Sequence, residues 1–304
     1  MNIRRIRGGL AGKILRVDLG SGKIRTEETE KYAREWIGGR AVNSFLLLEE
    51  LAPGVQWSDP ENVLLIGVGA LVGTLAPGAC RTSIETVNVF NNGKGSANVG
   101  GHFGSEVKYA GFDHIVISGK SETPVYLWIH EGKAELRDAR SFWGKTTFET
   151  EEILEEKHAS LKVRVASIGP AGENLVRGAG IVCDRSKVAG GSGVGCVMGD
   201  KKLKAIVACG QGGSIRVAEP DQFFKAVEVA LKKVKESPLS EKMRKITLAG
   251  RWSDPHSPNW DFMISSRNGQ DDFWEVGKRI RMADPEKGFP KYRKSVSACF
   301  MCPV

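Results

Sequence analysis

Two cysteines near the end of the sequence, Cys299 and Cys302, have the spacing of metal ligands or of a redox pair. They lie in the stretch SACFMCPV, and no further Cys or His follows them. Thiolates separated by two residues can supply half of a metal site or can cycle between a dithiol and a disulfide. The pair alone leaves these alternatives open, so its role depends on what the rest of the chain builds.

Two glycine-rich segments have a composition that suits a phosphate-bearing ligand. AGGSGVGCVMG (189–199) and ANVGGHFGSEVKYAGFDHIVISG (97–119) each contain five glycines. Glycine allows positive φ and lets backbone N–H groups approach a ligand closely. The same composition also fits tight connections in a compact sheet, and glycine content does not separate the two interpretations.

Standard nucleotide-binding motifs do not match these glycines. A Walker A loop ending at Gly119 or Gly144 would need a glycine at His114 or Ala139. The dinucleotide pattern GxGxxG fails at its third glycine after both Gly67 and Gly193. The sequence therefore argues against an ordinary ATPase or Rossmann dehydrogenase.

The first 210 residues or so predict an α+β domain with substantial sheet. Helices are predicted from ETEKYAREW to FLLLEEL, with a break at Gly38-Gly39, and over TTFETEEILEEK, where Thr146 and Glu149 fit a capping box. Glu106 and Lys108 alternate on what reads as a strand. The predicted strands, the fifth of which is a hairpin, are GKILRVDL, NVLLIGVGAL, TSIETVNVF, HIVISG, VYLWIHEGKAELRDA, KVRVASIGPAG and KAIVACG.

After Ser214 the sequence no longer alternates short β-rich runs with Gly-rich turns. DQFFKAVEVALKKVKES predicts an amphipathic helix with Asp221 as N-cap, Pro238 just after its end and an apolar stripe packed on the core. A loop-rich, aromatic and basic stretch follows, in which we expect Trp252 and Trp260 to anchor the loops. The predicted domains are residues 1–212 and 213–304.

Composition narrows the class of protein. Lys and Arg outnumber Asp and Glu by 44 to 36, a net charge of +8 that fits anionic partners or solvated basic faces equally well. The sequence has no signal-peptide pattern and no long apolar run, so we expect a cytoplasmic protein without a membrane span. Four cysteines among small residues are expected to be buried, inert thiols: Cys80, Cys183, Cys196 and Cys209.

Longer motifs resemble one family over essentially the whole chain from Gly12 to Val304. The stretches that carry the resemblance are IGGRAVNSFLLLEEL, LLIGVGALVGTLAPGACRTSIETVNV, SANVGGHFGSEVKYAGFDHIVISGKSETPVYLWI, VRVASIGPAGENLVRGAGIVCD and VAGGSGVGCVMGDKKLKAIVACG. They resemble the N-terminal part of the aldehyde:ferredoxin oxidoreductase family. The resemblance implies paired mixed or antiparallel β-sheets forming a base for a tungsten, sometimes molybdenum, bis-pyranopterin cofactor, followed by a helical and loop-rich segment.

The resemblance also implies candidate site residues. Arg81 matches an arginine that contacts a pterin phosphate, and Asn98, with Gly100 beside it, matches a position whose carbonyl meets the bridging Mg²⁺. The second phosphate loop matches Lys187, Val188, Gly190 and Gly191. The family usually has a second arginine where this chain has Gly191, so this loop departs from the family pattern.

The same resemblance assigns Cys299 and Cys302 as the first two thiolates of a [4Fe-4S] cluster, whose iron suits soft sulfur ligands. The third Cys would fall at position 306, so the chain carries two of four ligands, and we expect the natural sequence to continue beyond Val304. A second chain could also supply what is missing.

Three functions stay open. The resemblance implies oxidation of aldehydes to carboxylates, with electrons passing through the cluster to ferredoxin or to an iron–sulfur subunit. A class II benzoyl-CoA reductase-type catalytic subunit is the alternative, and a non-catalytic scaffold or binding domain is the third. No catalytic residue is assigned in this chain, and His102 and His114 are left unassigned.

Overall fold

A computed structural model describes residue 6 and residues 8–159, 161–241, 270 and 297–303. It divides into two compact units, the first comprising residues 1–224 and 299–302 and the second residues 225–298 and 303–304. All strands below belong to the first unit. The predicted boundary at residue 212 stays a prediction, and Trp252 and Trp260 lie outside the described residues, as does the rest of the aromatic, basic stretch.

The described part of the chain forms twelve strands and seven α-helices. The strands are β1 (Lys13–Asp18), β2 (Ile24–Glu28), β3 (Leu64–Val68), β4 (Thr82–Val87), β5 (Lys94–Val99), β6 (His114–Ser118), β7 (Val125–His130), β8 (Lys133–Asp138), β9 (Arg164–Ser167), β10 (Ile181–Cys183), β11 (Lys187–Ala189) and β12 (Leu203–Cys209). The helices are α1 (Glu30–Trp36), α2 (Gly39–Glu50), α3 (Phe103–Tyr109), α4 (Thr147–Lys157), α5 (Pro170–Glu173), α6 (Val194–Asp200) and α7 (Pro220–Glu236), with a 3₁₀ turn at Arg140–Phe142.

Two six-stranded mixed sheets confirm the predicted α+β class. The first has the order β2-β1-β6-β3-β4-β5 and the second β11-β10-β9-β12-β7-β8. Most strand pairs are antiparallel, with parallel pairing of β1 with β6 and of β7 with β12. The predicted hairpin is confirmed, with its turn at Glu131 and Gly132, both at positive φ.

Alternating apolar residues let each sheet bury both of its faces. On β1, Leu15 joins the large central core whereas its neighbour Ile14 joins a separate cluster with α2. Side chains of α3 and α6 belong to the central core, together with residues of both sheets. Helix α4 packs on the far face of the second sheet through Leu154. The core is therefore layered, with α3 and α6 contacting strands of both sheets.

Both predicted helices of the first region are confirmed. The first breaks at Gly38-Gly39, because both glycines take positive φ, into α1 and α2. Helix α4 begins with the predicted capping box, in which Thr146 accepts from Glu149 N and Glu149 accepts from Thr146 N. These local sequence rules were sufficient because the capping groups lie within one turn of each other.

The strand predicted at Glu106 and Lys108 is wrong, because this segment forms α3. Because α3 is a helix, Glu106 and Lys108 do not alternate between the two faces of a sheet. The Nζ atom of Lys108 is buried and donates to the carbonyls of Gly9, Gly69 and Ala70 at 2.7–3.0 Å. Burial lowers the pKa of Lys108 to about 8. Lys108 thereby joins α3 to two other backbone segments, one at Gly9 and one at Gly69–Ala70.

Helix α7 differs from its prediction at the start. It begins at Pro220, which fits the first position because proline needs no N–H partner there, so Asp221 lies in the first turn rather than at the N-cap. The helix ends at Glu236, two residues before Pro238, as predicted. The apolar stripe comprises Phe223, Phe224, Val227, Leu231 and Val234. Val227 is buried, two of the others are half-buried (Phe223 and Val234), and two are exposed, at 46% for Phe224 and 39% for Leu231.

Candidate cofactor and metal-binding site

The pairing of β4 with β5 brings Arg81 and Asn98 to the same end of the first sheet. Arg81 directly precedes β4, and the register pairs Thr82 with Val99 and Ser83 with Asn98. Continuing that register by one residue puts Arg81 opposite Gly100. The separation of 17 residues therefore spans one antiparallel hairpin. Arg81 is exposed and Asn98 is half-buried.

The hairpin formed by β10 and β11 carries the second predicted phosphate loop to the same place. Lys187 opens β11, and a Cβ built on Gly101 would lie 3.3 Å from its Cγ atom. At the other end of β5, Ser96 N donates to Ser192 Oγ at 3.0 Å, and Ser192 Oγ donates back to Ser96 O at 3.3 Å. The two segments that the sequence singled out separately thus meet along β5 and the turn that follows it.

Asp184, which sequence reasoning missed, holds the two segments together. Its Oδ2 atom accepts from His102 N at 2.5 Å and from Phe103 N at 3.2 Å. Arg164 Nη1 lies 3.8 Å from the other carboxylate oxygen. Asp184 has positive φ in the tight turn between β10 and β11, a conformation that Asp tolerates better than most residues. The only sequence signal was a short polar turn in CDRSK.

The glycines of the 189–199 segment divide into two physical classes. Gly195 and Gly199 lie in α6, where an added Cβ would overlap the carbonyl oxygens of Gly180 and Gly172 respectively. Gly190 and Gly191 are exposed, and nothing lies within 4 Å of their Cβ positions. Close packing therefore explains the helical glycines. The open surface at Gly190 and Gly191, beside exposed Val188, is where a ligand could approach the backbone.

The CxxC segment docks against the turns that flank Arg81 and Gly100. Gly78 N donates to Met301 O at 2.8 Å, and Phe300 N donates to Gly101 O at 3.1 Å. The Phe300 ring makes edge contacts with His102 and Tyr109. Cys299 is half-buried and Cys302 is exposed. Backbone contacts therefore fix this segment independently of any metal.

Cys80 differs from the other three cysteines that the sequence predicted to be inert. All four are buried, as predicted. A Cβ built on Gly100, however, would lie 2.9 Å from Cys299 Sγ and 3.7 Å from Cys80 Sγ, so Cys80 adjoins the CxxC pair. Burial is the main reason that the pKa of the Cys80 thiol is raised.

The described residues fit part of each group that the resemblance implies. Exposed Arg81, half-buried Lys187 and the open backbone at Gly190 and Gly191 suit phosphate oxygens. Among the described residues no three His, Cys, Asp or Glu side chains are arranged to hold one metal ion. The assignment of Cys299 and Cys302 as two of four cluster ligands stays a prediction.

His114 and His102 lie in different settings. His114 is completely buried, its Nδ1 atom is 2.7 Å from Asn43 Oδ1, and burial lowers its pKa to about 3. It is a packed core residue. His102 contacts Phe300 and is linked to Asp184 through its backbone N–H.

Residues 14–210 match the family model described as the N-terminal domain of aldehyde ferredoxin oxidoreductase. A tungsten-containing aldehyde ferredoxin oxidoreductase of Pyrococcus abyssi is 43% identical over 233 residues, which are 76% of this chain and 38% of that protein. A Pyrococcus furiosus protein named aliphatic sulfonate oxidoreductase, WOR-like subunit, is 37% identical over 217 residues, 66% of this chain and 34% of that protein.

A solved structure also matches closely. It is the active site complex BamBC of benzoyl coenzyme A reductase with 1,5-dienoyl-CoA, at 33% identity and a TM-score of 0.85. The match covers 98% of this chain and 47% of that chain. This chain thus spans less than half the length of each of these relatives. Among the described residues, no helix has both the length and the apolar composition needed to cross a bilayer.

Proposed function

Because this chain belongs to the aldehyde ferredoxin oxidoreductase family, we propose that it is the cofactor-binding portion of a tungsten oxidoreductase that converts aldehydes to carboxylates. Ferredoxin or an iron–sulfur subunit would accept the electrons. The observation that carries the proposal is that the 187–191 segment begins beside Gly101, next to the end of the first sheet where Arg81 lies opposite Gly100, and runs on along β5. This arrangement joins the two predicted phosphate-binding segments.

Each residue has a definite role in this proposal. The Arg81 guanidinium would donate to a pterin phosphate, and the backbone N–H groups of the exposed Gly190 and Gly191 would donate to a second. The Asn98 carbonyl would contact the Mg²⁺ that accompanies the phosphates, and Gly100, lacking a side chain, would admit the Cys299 sulfur beside it. Lys187 adds positive charge without the bidentate fork of an arginine. The bound tungsten–pterin would supply the two-electron chemistry.

Cys299 and Cys302 would hold two irons of a [4Fe-4S] cluster beside this surface. The Gly78–Arg81 turn supports this arrangement, because Gly78 binds the CxxC segment and Arg81 lies three residues further on. A single turn would thus contact both groups, which keeps the path for electrons short. The remaining thiolates and the acid–base groups would come from further sequence or from a second chain.

A benzoyl-CoA reductase-type catalytic subunit is the second candidate. The coverage of 98% of this chain by a benzoyl-CoA reductase complex favours it. So does Gly191 in place of the arginine usual in aldehyde oxidoreductases. A non-catalytic binding domain is the third, and the exposed Arg81 and open Gly190 and Gly191 weigh against it, because a mere scaffold has no need of such a surface.

Anaerobic assays on the chain expressed with tungstate distinguish these candidates. Aldehyde-dependent reduction of a viologen dye, absent with 1,5-dienoyl-CoA, is the expected result once further sequence or a second chain supplies the remaining thiolates and acid–base groups. Oxidation of 1,5-dienoyl-CoA without aldehyde activity would instead assign the reductase branch. Bound tungsten with neither activity would identify a cofactor-binding domain that needs a catalytic partner. The matched control is the same chain expressed without tungstate.

A further inference from the structure

Cys80 and Cys299 bring two thiols to the same side of Gly100. The Cβ position of Gly100 is 2.9 Å from the Cys299 sulfur and 3.7 Å from the Cys80 sulfur. Burial and, after it, the neighbouring Cys299 thiol raise the pKa of the Cys80 thiol. Because glycine has no side chain, nothing at position 100 keeps the sulfurs apart.

The contact does not depend on a bound metal, because backbone groups hold Cys299 where it is. Met301 O accepts from Gly78 N, two residues before Cys80, and Phe300 N donates to Gly101 O. The segment of Cys80 and the segment of Cys299 are therefore joined by a hydrogen bond whose two ends, Gly78 and Met301, each lie two residues from a cysteine. Such a pre-organised pair loses little conformational entropy when its sulfurs bond to each other.

We propose that Cys80 and Cys299 form an oxidisable dithiol, which a low-molecular-weight disulfide converts to a Cys80–Cys299 disulfide in the metal-free chain. This assigns a reactive role to Cys80, a residue with the sequence environment of an inert core thiol. Cys299 belongs to the predicted cluster pair, whereas Cys80 lies outside that motif.

The reaction proceeds by two thiol–disulfide exchanges. The half-buried Cys299 thiolate attacks one sulfur of the small disulfide, and the first small thiol leaves as a mixed disulfide forms. The Cys80 thiolate then attacks the Cys299 sulfur and expels the second small thiol. Two protein thiols are oxidised, one small disulfide is reduced to two thiols, and both protons leave with those products.

Cys302 is the competing partner for Cys299. Cys302 N donates to Cys299 O at 3.1 Å within the tight turn of the CxxC segment, but its side chain is exposed. The Cys299 sulfur lies instead beside Gly100 and Cys80. Geometry thus favours Cys80 over the cysteine that is closer in sequence.

One consequence rests on the proposed function. A disulfide at Cys299 removes the first thiolate of the cluster pair, so reduction must precede iron binding. The dithiol itself is tested on the metal-free chain, so that failure to bind tungsten or iron would not affect the result. Conversely, absence of the disulfide would leave the proposed cofactor surface untouched.

The experiment is peptide mapping of the reduced, chelator-treated chain after exposure to oxidised glutathione. The expected product is a cross-linked pair of peptides containing Cys80 and Cys299, with a mass loss of about 2 Da per chain. The same cross-link is expected in Cys302→Ser. It is absent from Cys80→Ser and Cys299→Ser.

Gly100→Ala tests the geometry rather than the presence of thiols. Its methyl group would stand 2.9 Å from the Cys299 sulfur, too close for an undisturbed contact, so the cross-link should form several-fold more slowly. A Cys299–Cys302 disulfide as the sole product in the wild-type chain would overturn the proposal. So would a Cys80 that stays reduced in Cys302→Ser while the glutathione oxidises other thiols.

Discussion

Asp184 links the two halves of the candidate site through one carboxylate. It accepts the His102 and Phe103 N–H groups, which begin α3 directly after Gly101. Since an unpaired buried N–H group costs about 1–3 kcal/mol, this single side chain can decide whether the two segments stay together. The Asp184 carboxylate thus positions the backbone of the site and does not itself serve as a ligand-binding group in this interpretation.

Asp184→Ala should therefore lower the free energy of unfolding by roughly 2 kcal/mol, because two N–H groups lose their acceptor. Urea denaturation measures this change. Asp138→Ala is the matched control, since Asp138 also accepts a backbone N–H, from Arg140, but on an exposed turn. Equal losses in both variants would contradict the special role of Asp184.

Glu151, on α4, predicts a pH dependence of stability. Burial raises its pKa to about 7, against 4.5 in the unfolded chain; the Arg185 N–H that it accepts opposes the rise, and Asp184 and Glu155 reinforce it. Between these values the folded chain holds a proton that the unfolded chain has lost. The free energy of unfolding should therefore fall by about 3 kcal/mol as pH rises from 4.5 to above 7.

Glu151→Gln should flatten this part of the stability profile, because glutamine does not titrate. Thermal or urea unfolding from pH 4 to pH 8 provides the measurement. Glu152→Gln, on the exposed side of the same helix, should leave the slope unchanged. Parallel profiles for wild-type and Glu151→Gln would show that this carboxyl does not hold its proton in the folded state.

Elements with long apolar runs were predictable, and short glycine-rich ones were not. The short apolar runs LLIGV and LKAIVAC indicated the strands β3 and β12 from composition alone. Every residue of both strands is buried, which is the reason for that composition. The prediction of a strand in place of α3 is wrong because charged and apolar residues alternate around Glu106 and Lys108, as they do in a strand with one buried face. Tertiary contacts decided instead, since Gly104 packs directly against Thr82 and leaves no space for a side chain.

The candidate site likewise contains residues that the sequence predicted and residues that it did not. The positions of Arg81, Asn98 and the 187–191 segment in the sequence followed from resemblance, and the β4–β5 register explains their spacing in physical terms. The contacts of Asp184 and Cys80 could not be predicted, because each joins residues about 80 or more positions apart in the sequence. Such contacts exist only once both sheets are assembled.

Helix α6 tests the packing interpretation of glycine at the scale of an element. Gly199→Ala should destabilise the chain by more than about 1 kcal/mol, because its Cβ would overlap the Gly172 carbonyl and force α6 away from α5. Gly190→Ala should be nearly neutral, since its Cβ would meet open space. Chemical denaturation compares the two. A harmless Gly199→Ala would mean that α6 and α5 can separate without cost.

At the scale of the whole molecule, two sheets bury α3 and α6 between them and leave the site at the end of one sheet. The turns before β4 and after β5 meet the start of β11 there, and the CxxC segment returns to the same place, where Phe300 N donates to Gly101 O and Met301 O accepts from Gly78 N.

 Phe300 contacts Gly101 across 199 residues of sequence, and Met301 contacts Gly78 across 223. Contacts this distant in sequence place the thiol pair and the predicted phosphate loops on one folded unit.

We expect the surface formed by Arg81, Gly100 and the 187–191 segment to bind the phosphates of a tungsten–pterin. Tungsten content per chain, measured by plasma mass spectrometry after anaerobic expression with tungstate, tests this expectation most directly. Arg81→Ala removes the guanidinium, and Arg140→Ala is the matched control because it removes an exposed arginine on a distant turn.

We expect close to one tungsten per chain in the wild type and in Arg140→Ala. We expect a loss of roughly tenfold or more in occupancy for Arg81→Ala at limiting cofactor, since a charge-assisted pair contributes about 1.5–3 kcal/mol. Equal tungsten in Arg81→Ala and wild type, or no tungsten in a folded wild-type chain, would contradict phosphate binding at this surface.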